Sequence, residues 1–155
     1  MPAALPAAVA AYLDEQHVMT LATSGGDGPW AAAVFFVRLD DDLVFMSSAR
    51  SRHGRDLAAD PRCAAAVQAN ERDWARIKGV QMQGKVSTIE GAERARALLH
   101  YAAKFPLVAS PATAPAAIAA AMAKVRWYRL RIDRLFFIDN SRGFGHREQI
   151  DLDAG

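Results

Sequence analysis

The spacing of apolar residues changes from a helical to a strand-like period after residue 16. Residues 1–16 carry apolar side chains three or four positions apart, which predicts a short N-terminal helix. Residues 17–23 alternate in the manner of a strand and end in a dense turn signal, Ser-Gly-Gly-Asp-Gly-Pro. The pattern therefore predicts a helix that leads directly into a β-sheet.

Five further strands are predicted, each bounded by turn residues or by a helix. Their ranges are 30–39, 43–48, 62–69, 74–89 and 125–139. In the longest of these strands, at residues 74–89, Gly79 and Gly84 are expected to mark bulges or close backbone approaches. Three consecutive aspartates, residues 40–42, form a solvated hairpin tip between two of the strands.

Helices are predicted where the period returns to 3.6 residues. Ser51 is placed to cap a short helix over residues 52–59, and two Ala-rich helices over 90–104 and 116–124 belong to a helical insertion at residues 90–124. Residues 140–155 are expected to form a C-terminal tail. Residues 1–155 as a whole are expected to form a single domain.

The order of these elements predicts a mainly β fold. Consecutive strands joined by tight turns favour antiparallel pairing, and a few long strands tend to close. We therefore expect a six-stranded antiparallel β-barrel with peripheral helices. Regular βαβ alternation is absent from the pattern, which argues against a Rossmann sheet.

Composition narrows the class of protein. The 155 residues are 52% hydrophobic and 23% charged, with a net charge of only +2 at pH 7. This excess is too small to indicate a nucleic-acid partner, and no apolar run is long enough to predict a membrane partner. The single cysteine, Cys63, excludes an intramolecular disulfide and favours a cytoplasmic location.

Common catalytic and metal-binding motifs are not found. The four histidines are far apart in sequence, so no metal site is predicted; they are His17, His53, His100 and His146. No serine lies in a GxSxG motif, and Gly143-Phe144-Gly145 lacks the third glycine and the following helix of a dinucleotide loop. Hydrolase chemistry therefore has little support.

A basic turn at residues 47–55, SSARSRHGR, is the strongest chemical signal. Ser47 and Ser48 end a strand, and Arg52 and His53 begin a helix. Hydroxyl groups, free backbone N–H groups and guanidinium groups together favour a phosphate dianion. Two other interpretations stay open: a solvated basic turn, and a nucleic-acid patch that lacks interleaved aromatic residues.

Gln81 and Gln83 share one face of the strand predicted at residues 74–89. A glutamine on a barrel strand can hydrogen-bond the edge of a planar heteroaromatic ring. It can equally face water, and the pattern does not choose between the two.

Taken in order, several of these segments resemble the pyridoxamine 5′-phosphate oxidase-like family of FMN-binding split barrels. The segments are LVFMSS at residues 43–48, Ser-Arg-His at 51–53 and Asp-Pro-Arg-Cys-Ala at 60–64. In that family a strand ends in a hydroxyl residue, Ser-Arg-Lys follows, and a short helix leads to Pro-Arg-Val. The resemblance is strongest over residues 16–89, and residues 129–145 resemble a small bacterial branch.

The resemblance implies a six-stranded split barrel, a homodimer and FMN bound at the subunit interface. Ser47, with Ser48 beside it, matches the hydroxyl that contacts the FMN phosphate. Arg52 matches the family arginine at that place, and His53 stands where a lysine is usual. Gln81 is a looser match for a glutamine at the ring edge.

A second strand is implied to run its backbone along the flavin ring, and its residues are Ala33, Val34, Phe35 and Phe36. The family arginine at the start of this strand is replaced by Ala31 or Ala32. The oxidase's C-terminal Arg/His pair, which holds the substrate phosphate, has no clear match around Arg129 and Arg131. Oxidation of pyridoxamine phosphate itself is therefore not expected.

The leading hypothesis is a homodimeric, FMN-dependent oxidoreductase that acts on an unidentified small molecule. The alternative is a non-catalytic split barrel that binds a flavin or haem. A nucleic-acid-binding β-barrel is a third and weaker hypothesis, because the net charge of +2 is close to neutral.

Overall fold

A computed structural model describes residues 4–106 and 116–152. In these ranges eight strands form one antiparallel sheet, in the order β2-β1-β5-β6-β7-β4-β3, with β8 added beside β7. The strands are β1 (Val18–Gly25), β2 (Gly28–Phe35), β3 (Val37–Leu39), β4 (Asp42–Ser47), β5 (Arg62–Gln68), β6 (Lys78–Thr88), β7 (Arg126–Asp139) and β8 (Arg147–Asp151). The sheet is the predicted antiparallel one.

The helices lie around this sheet. They are α1 (Ala7–Glu15), α2 (Arg52–Ala59), α3 (Gly91–Lys104) and α4 (Ala116–Lys124). Within the described ranges, no helix is both long and apolar enough to cross a bilayer. Parts of the predicted N-terminal helix, helical insertion and tail, at residues 1–3, 107–115 and 153–155, lie outside the described residues.

The long strand β7 organises the sheet. Residues 128–139 of this 14-residue strand pair with β6 on one side; on the other side residues 126–130 pair with β4 and residues 134–138 with β8. The register shifts between Gln83 and Gly84, where β7 contains a bulge. A bulge increases local bending and twist, and the sheet curls until β2 lies against β4. The result is the split barrel that the sequence predicted, with two more strands.

Strand β4 explains why the barrel has a helix on its outer side. Leu43, Val44 and Phe45 are consecutive and completely buried. Because successive side chains of a strand point to opposite faces, both faces of β4 must be covered. Leu43 and Phe45 lie in the barrel core with Leu130, whereas Val44 packs in a second cluster with Tyr101 of α3.

Ion pairs fix α3 on this outer face. Arg129 of β7 lies 2.5 Å from Asp42 and also contacts Glu93 of α3. Arg96 of α3 donates to both carboxylate oxygens of Asp40, at 2.6 and 2.9 Å. These contacts join the N-terminal half of α3 to β7 and to the hairpin between β3 and β4.

The single strand predicted at residues 30–39 is wrong in one respect. The structure divides it at Phe36 into β2 and β3, which lie at opposite ends of the sheet order. Phe36 and Val37 are both buried although they are adjacent. Phe36 packs in the barrel core and Val37 in the second cluster, and the chain passes from pairing with β1, up to Phe35, to pairing with β4 from Val37 onward.

Two other boundaries differ from the sequence prediction. Residues 74–76 form a 3₁₀ turn rather than the start of a strand, because the Asp73 carboxylate accepts from Ala75 N at 3.1 Å. The tail predicted from residue 140 contains strand β8. Ile150 of β8 packs against the core, and Leu152 just beyond it is buried.

Gly84 is predicted to be essential for this sheet. A Cβ added at Gly84 would lie 2.0 Å from the carbonyl oxygen of Arg131, so Gly84→Ala must push β6 and β7 apart. We expect a loss of about 3 kcal/mol or more in the free energy of unfolding, measured by urea denaturation.

Gly26→Ala is the matched control, because an added Cβ there meets no atom within 4 Å. Its expected effect is within about 0.5 kcal/mol. Equal stability of the two variants would contradict the close approach at Gly84.

Candidate functional site

The turn between β4 and α2 is shaped by a serine cap. Ser51 Oγ accepts from Gly54 N at 3.0 Å and donates to the carbonyl oxygen of Ser48 at 2.7 Å. A Cβ at Gly54 would lie 2.6 Å from that same Ser48 oxygen, so only glycine permits this tight approach. Residue 53 is thereby placed over the end of β4.

Helix α2 is also anchored to β1. Thr23 Oγ1 donates to Asp56 Oδ2 at 2.9 Å, and both residues are buried. A Cβ at Gly25 would lie 2.0 Å from Asp56 Oδ1, so this glycine makes room for the carboxylate. The helix that carries His53 is therefore held at both its start and its middle.

Ser47 and His53 form a hydrogen-bonded pair. Ser47 Oγ lies 2.5 Å from His53 Nε2 and 3.4 Å from Ser51 Oγ. Burial lowers the pKa of His53, and the nearby Asp56 carboxylate opposes this only in part. The imidazole is therefore neutral at pH 7 and offers one donor and one acceptor nitrogen.

This pair lies at one end of a cavity of about 450 Å³ where β2 and β4 approach each other. Cavities of this size suit small-molecule ligands. The remaining lining is largely apolar, with the Tyr101 hydroxyl as its other hydrogen-bonding side chain. The lining residues are Val18, Ala33, Val34, Phe35, Met46, Ser47, His53, Tyr101 and Val125.

One wall of the cavity is an aromatic cluster that the sequence analysis did not find. The Phe105 ring lies 5.2 Å from the Phe35 ring and 4.7 Å from the Tyr101 ring, measured between centroids. Tyr101 also meets Trp127 edge to face at 5.5 Å. Burial raises the pKa of Tyr101 to about 12, so its hydroxyl stays protonated.

Five of the predicted site residues line the cavity, and four do not. Ala33, Val34, Phe35, Ser47 and His53 are brought together. Ser48 is exposed, and its Oγ accepts from Arg50 N at 3.1 Å. The other three residues outside the cavity are Phe36, Arg52 and Gln81.

Arg52, Phe36 and Gln81 point elsewhere. The Arg52 guanidinium stacks on the Trp30 ring at 4.4 Å and donates to the carbonyl oxygen of Asp27 at 3.1 Å. Its Nε is buried without a partner in the described part of the chain. Phe36 is completely buried in the core.

Gln81 is exposed on the outer face of the sheet. The register aligns Ala33, Thr20, Ala66 and Gln81 across β2, β1, β5 and β6. At about 4.8 Å per strand, Gln81 lies roughly 14 Å from Ala33. One chain therefore does not bring Gln81 to its own cavity.

The outer face of these four strands is exposed and carries small side chains. Its central residues are Thr20, Ala22, Ala31, Ala33, Ala64 and Ala66, each exposed or half-buried. Val18 and Phe35, at its edge, are 43% and 57% exposed. Such a sheet face has little relief and a large accessible backbone, which suits packing against another flat surface.

A second cavity, of about 490 Å³, is lined by Cys63 and Asp133 among other residues. Burial, with a smaller contribution from Asp133, raises the pKa of Cys63 to about 12, so the thiol is not a nucleophile near neutral pH. Among residues 4–106 and 116–152, no three His, Cys, Asp or Glu side chains are grouped to hold a metal ion.

The fold and the first cavity define an antiparallel split barrel with a cavity of small-molecule size between β2 and β4. A family model described as pyridoxamine 5′-phosphate oxidase matches residues 5–139. The chain therefore belongs to the pyridoxamine 5′-phosphate oxidase family, as the order of its motifs indicated.

Individual proteins of known sequence or structure are also similar to this chain. A UPF0306 protein of Klebsiella pneumoniae is 32% identical over 151 residues, which cover 96% of this chain and 95% of the relative. A haem-binding protein from Mycobacterium smegmatis has a similar structure, with a TM-score of 0.73 and 26% identity over 98% of this chain; the chain spans 61% of that protein. The haem storage protein HutZ from Vibrio cholerae, at 15% identity, has a TM-score of 0.66 over 84% of this chain and 91% of its own, which shows the common fold.

Proposed function

We propose that this protein binds FMN in the cavity between β2 and β4 and uses it as an oxidoreductase on a small molecule. The observation that carries the proposal is the Ser47–His53 pair at one end of an otherwise apolar cavity of about 450 Å³. This arrangement matches a ligand with one anionic end and one planar, largely apolar end. Membership of the family supports the choice of FMN.

The residues present fit the two ends of such a group. The Ser47 hydroxyl and the His53 imidazole offer donors to a phosphate, next to the first turn of α2. The adjoining residue, Arg52, has a buried Nε without a partner among the described residues. Ala33, Val34 and Phe35 form the strand beside the apolar end, and Tyr101 closes the opposite wall against water.

In this proposal the remaining predicted site residues of the same chain hold the turn, β2 and α2 in place and do not contact the ligand. Ser48 holds the turn through its Oγ and its carbonyl oxygen. Phe36 anchors the end of β2 in the core. Arg52 binds α2 to the β1–β2 hairpin through Trp30 and Asp27, and supplies positive charge one residue before His53.

Bound FMN supplies hydride and electron transfer, and the protein supplies binding, orientation and exclusion of water. Tyr101 stays protonated near neutral pH, so its hydroxyl can donate a hydrogen bond to a ligand or accept one. His53, which is neutral, can donate or accept a proton at a ring nitrogen.

The proposal includes a homodimer with the cofactor at the interface. The outer face of β2, β1, β5 and β6 supports it, because this face is flat, exposed and built of small residues. Gln81 lies on the same face, roughly 14 Å from Ala33 by strand spacing. In this arrangement Gln81 of the partner subunit contributes to the edge of the ring.

Haem is the second candidate ligand, in a non-catalytic role. The structural similarity to the haem-binding protein from Mycobacterium smegmatis favours it. The apolar lining of the cavity would accept a porphyrin edge as well as a flavin. A visible spectrum of the purified protein separates the two, since FMN and haem give different absorption bands.

Removing the Ser47 hydroxyl is predicted to weaken FMN binding. Ser47→Ala deletes a donor at the phosphate end, and we expect about a tenfold higher Kd by fluorescence titration. Ser48→Ala is the matched control, because its hydroxyl faces Arg50 N rather than the cavity. Equal losses in both variants would contradict the assignment of the cavity.

FMN affinity is predicted to increase as the pH falls. Burial lowers the pKa of free His53. A bound phosphate dianion favours the imidazolium and raises that pKa, so affinity is gained as pH falls through the bound-state pKa. We expect a Kd about tenfold lower at about pH 5.5 than at about pH 8.

Two variants isolate the contribution of His53. His53→Gln cannot titrate, so it reports only the titration of the FMN phosphate itself, whose second pKa is about 6. His53→Lys carries a constant charge and is expected to bind more tightly at about pH 8, by about tenfold. An undiminished pH dependence in His53→Gln would refute the role of His53.

A charge on the outer face is predicted to dissociate the dimer. Ala66→Arg places a cation at the centre of that face, and we expect a monomer by sedimentation and weaker FMN binding. Ala95→Arg, on the exposed side of α3, is the control and should change neither. A dimeric Ala66→Arg would contradict this interface, and a monomer with full affinity would exclude a contribution from Gln81 of the partner subunit.

A further inference from the structure

A third cavity, separate from the proposed FMN site, is lined by an unusual number of charged side chains. It measures about 490 Å³ and lies between α1, β3 and α3. Six of its lining residues can carry a charge, and they come from all three of these elements and from the β3–β4 hairpin. They are Asp14, Arg38, Asp40, Arg96, His100 and Lys104.

Lys104 differs from the other cations of this cavity because it has no carboxylate partner. Arg38 donates to both carboxylate oxygens of Asp14, at 2.9 and 2.8 Å, and Arg96 does the same to Asp40. No ion pair to Lys104 occurs in the part of the chain that the structure describes. The charges of the cavity therefore do not balance, and Lys104 is the surplus cation.

The contacts of the Lys104 amine are weak ones for an ammonium group. Its Nζ donates to the carbonyl oxygen of Leu13 at 3.3 Å and lies 4.3 Å from the centre of the Phe36 ring. The Phe105 ring is 6.0 Å away. The amine is thus half-buried against aromatic rings, while the cavity beside it leaves room for a small molecule.

This setting increases the fraction of the amine that is neutral. Burial lowers the pKa of Lys104 to about 8; Asp14 opposes this shift, and Arg38 adds to it. At pH 7 such an amine is unprotonated about 200 times more often than one at the ordinary value of about 10.4. Lower intrinsic nucleophilicity offsets about one order of magnitude of that gain.

We propose that Lys104 is a nucleophilic amine that is acylated by small acyl phosphates entering this cavity. The neutral Nζ attacks the acyl carbon and forms an amide C–N bond. The bond from that carbon to the bridging oxygen breaks, phosphate leaves with the electron pair, and the extra amine proton passes to water. The step involves no oxidation or reduction.

The choice of an anionic acyl donor follows from the charges of the cavity. With Arg38 and Arg96 paired to Asp14 and Asp40, the protonated form of Lys104, which predominates at pH 7, attracts an anion, and the bound donor reacts when the amine loses its proton. Acylation then removes the cation that lies over Phe36, so the product cannot be acylated again at this amine.

The test is treatment of the full-length protein with acetyl phosphate, with acetylation at each lysine measured by peptide mass spectrometry. The exposed amines of Lys78, Lys85 and Lys124 are references within the same sample. At about pH 7 we expect Lys104 to react about tenfold faster than these. Its rate should level off above about pH 8, where the amine is already neutral, while the reference rates continue to rise.

Two variants of one ion pair make the test decisive. Arg38→Gln removes a cation and leaves Asp14 unpaired, which raises the pKa of Lys104 and slows its acetylation near pH 7. Asp14→Asn removes the carboxylate and leaves Arg38 unpaired, so acetylation is faster. Both variants break the same contact, so a purely structural effect would change both rates in the same direction. Equal reactivity of Lys104 and the reference lysines, or parallel changes in the two variants, would overturn the proposal.

Discussion

The pairing of β6 with β7 is the contact on which the rest of the structure depends. Strand β7 presents most of its length to β6 and divides its other edge between β4 and β8. This division requires the strand to bend, and the bend is possible because Gly84 leaves room for the carbonyl oxygen of Arg131. Without this bend in β7, β4 would not reach β2, and the cavity between β2 and β4 would not form.

The cavity is assembled from parts of the chain that are far apart in sequence. The strand ends at Phe35 and Ser47 and the start of α2 at His53 give one side, and Tyr101 of α3 gives the other. The ion pairs of Arg129 and Arg96 hold α3 in place from the outside of the barrel. The site therefore depends on electrostatic contacts that never touch a ligand.

Sequence patterns were sufficient for what local rules determine. Alternation predicted the strands and Ser51 predicted the start of α2, because each signal lies within a few residues of its effect. Gly84 was expected to mark a bulge or a close approach, and it lies opposite a bulge whose extra residue is on the partner strand β7. The break at Phe36 was missed, since it follows from which sheet edge each half joins. The aromatic wall was missed for the same reason: Phe35 and Phe105 are 70 positions apart in sequence but have ring centroids 5.2 Å apart. The sequence predicted Arg52 in the turn between β4 and α2 but could not show that its side chain stacks on the Trp30 ring.

The polar end of the first cavity has no permanent charge. Its lining includes neither lysine nor arginine, and burial keeps His53 neutral near pH 7. A ligand is therefore held chiefly by apolar contact and by neutral hydrogen bonds, each of which contributes about 1 kcal/mol. Such a cavity discriminates weakly between planar cofactors by charge. In the proposed dimer, shape and the groups that a second subunit would add at the open side provide the discrimination. On that proposal the small-residue face of the sheet matters as much to binding as the Ser47–His53 pair.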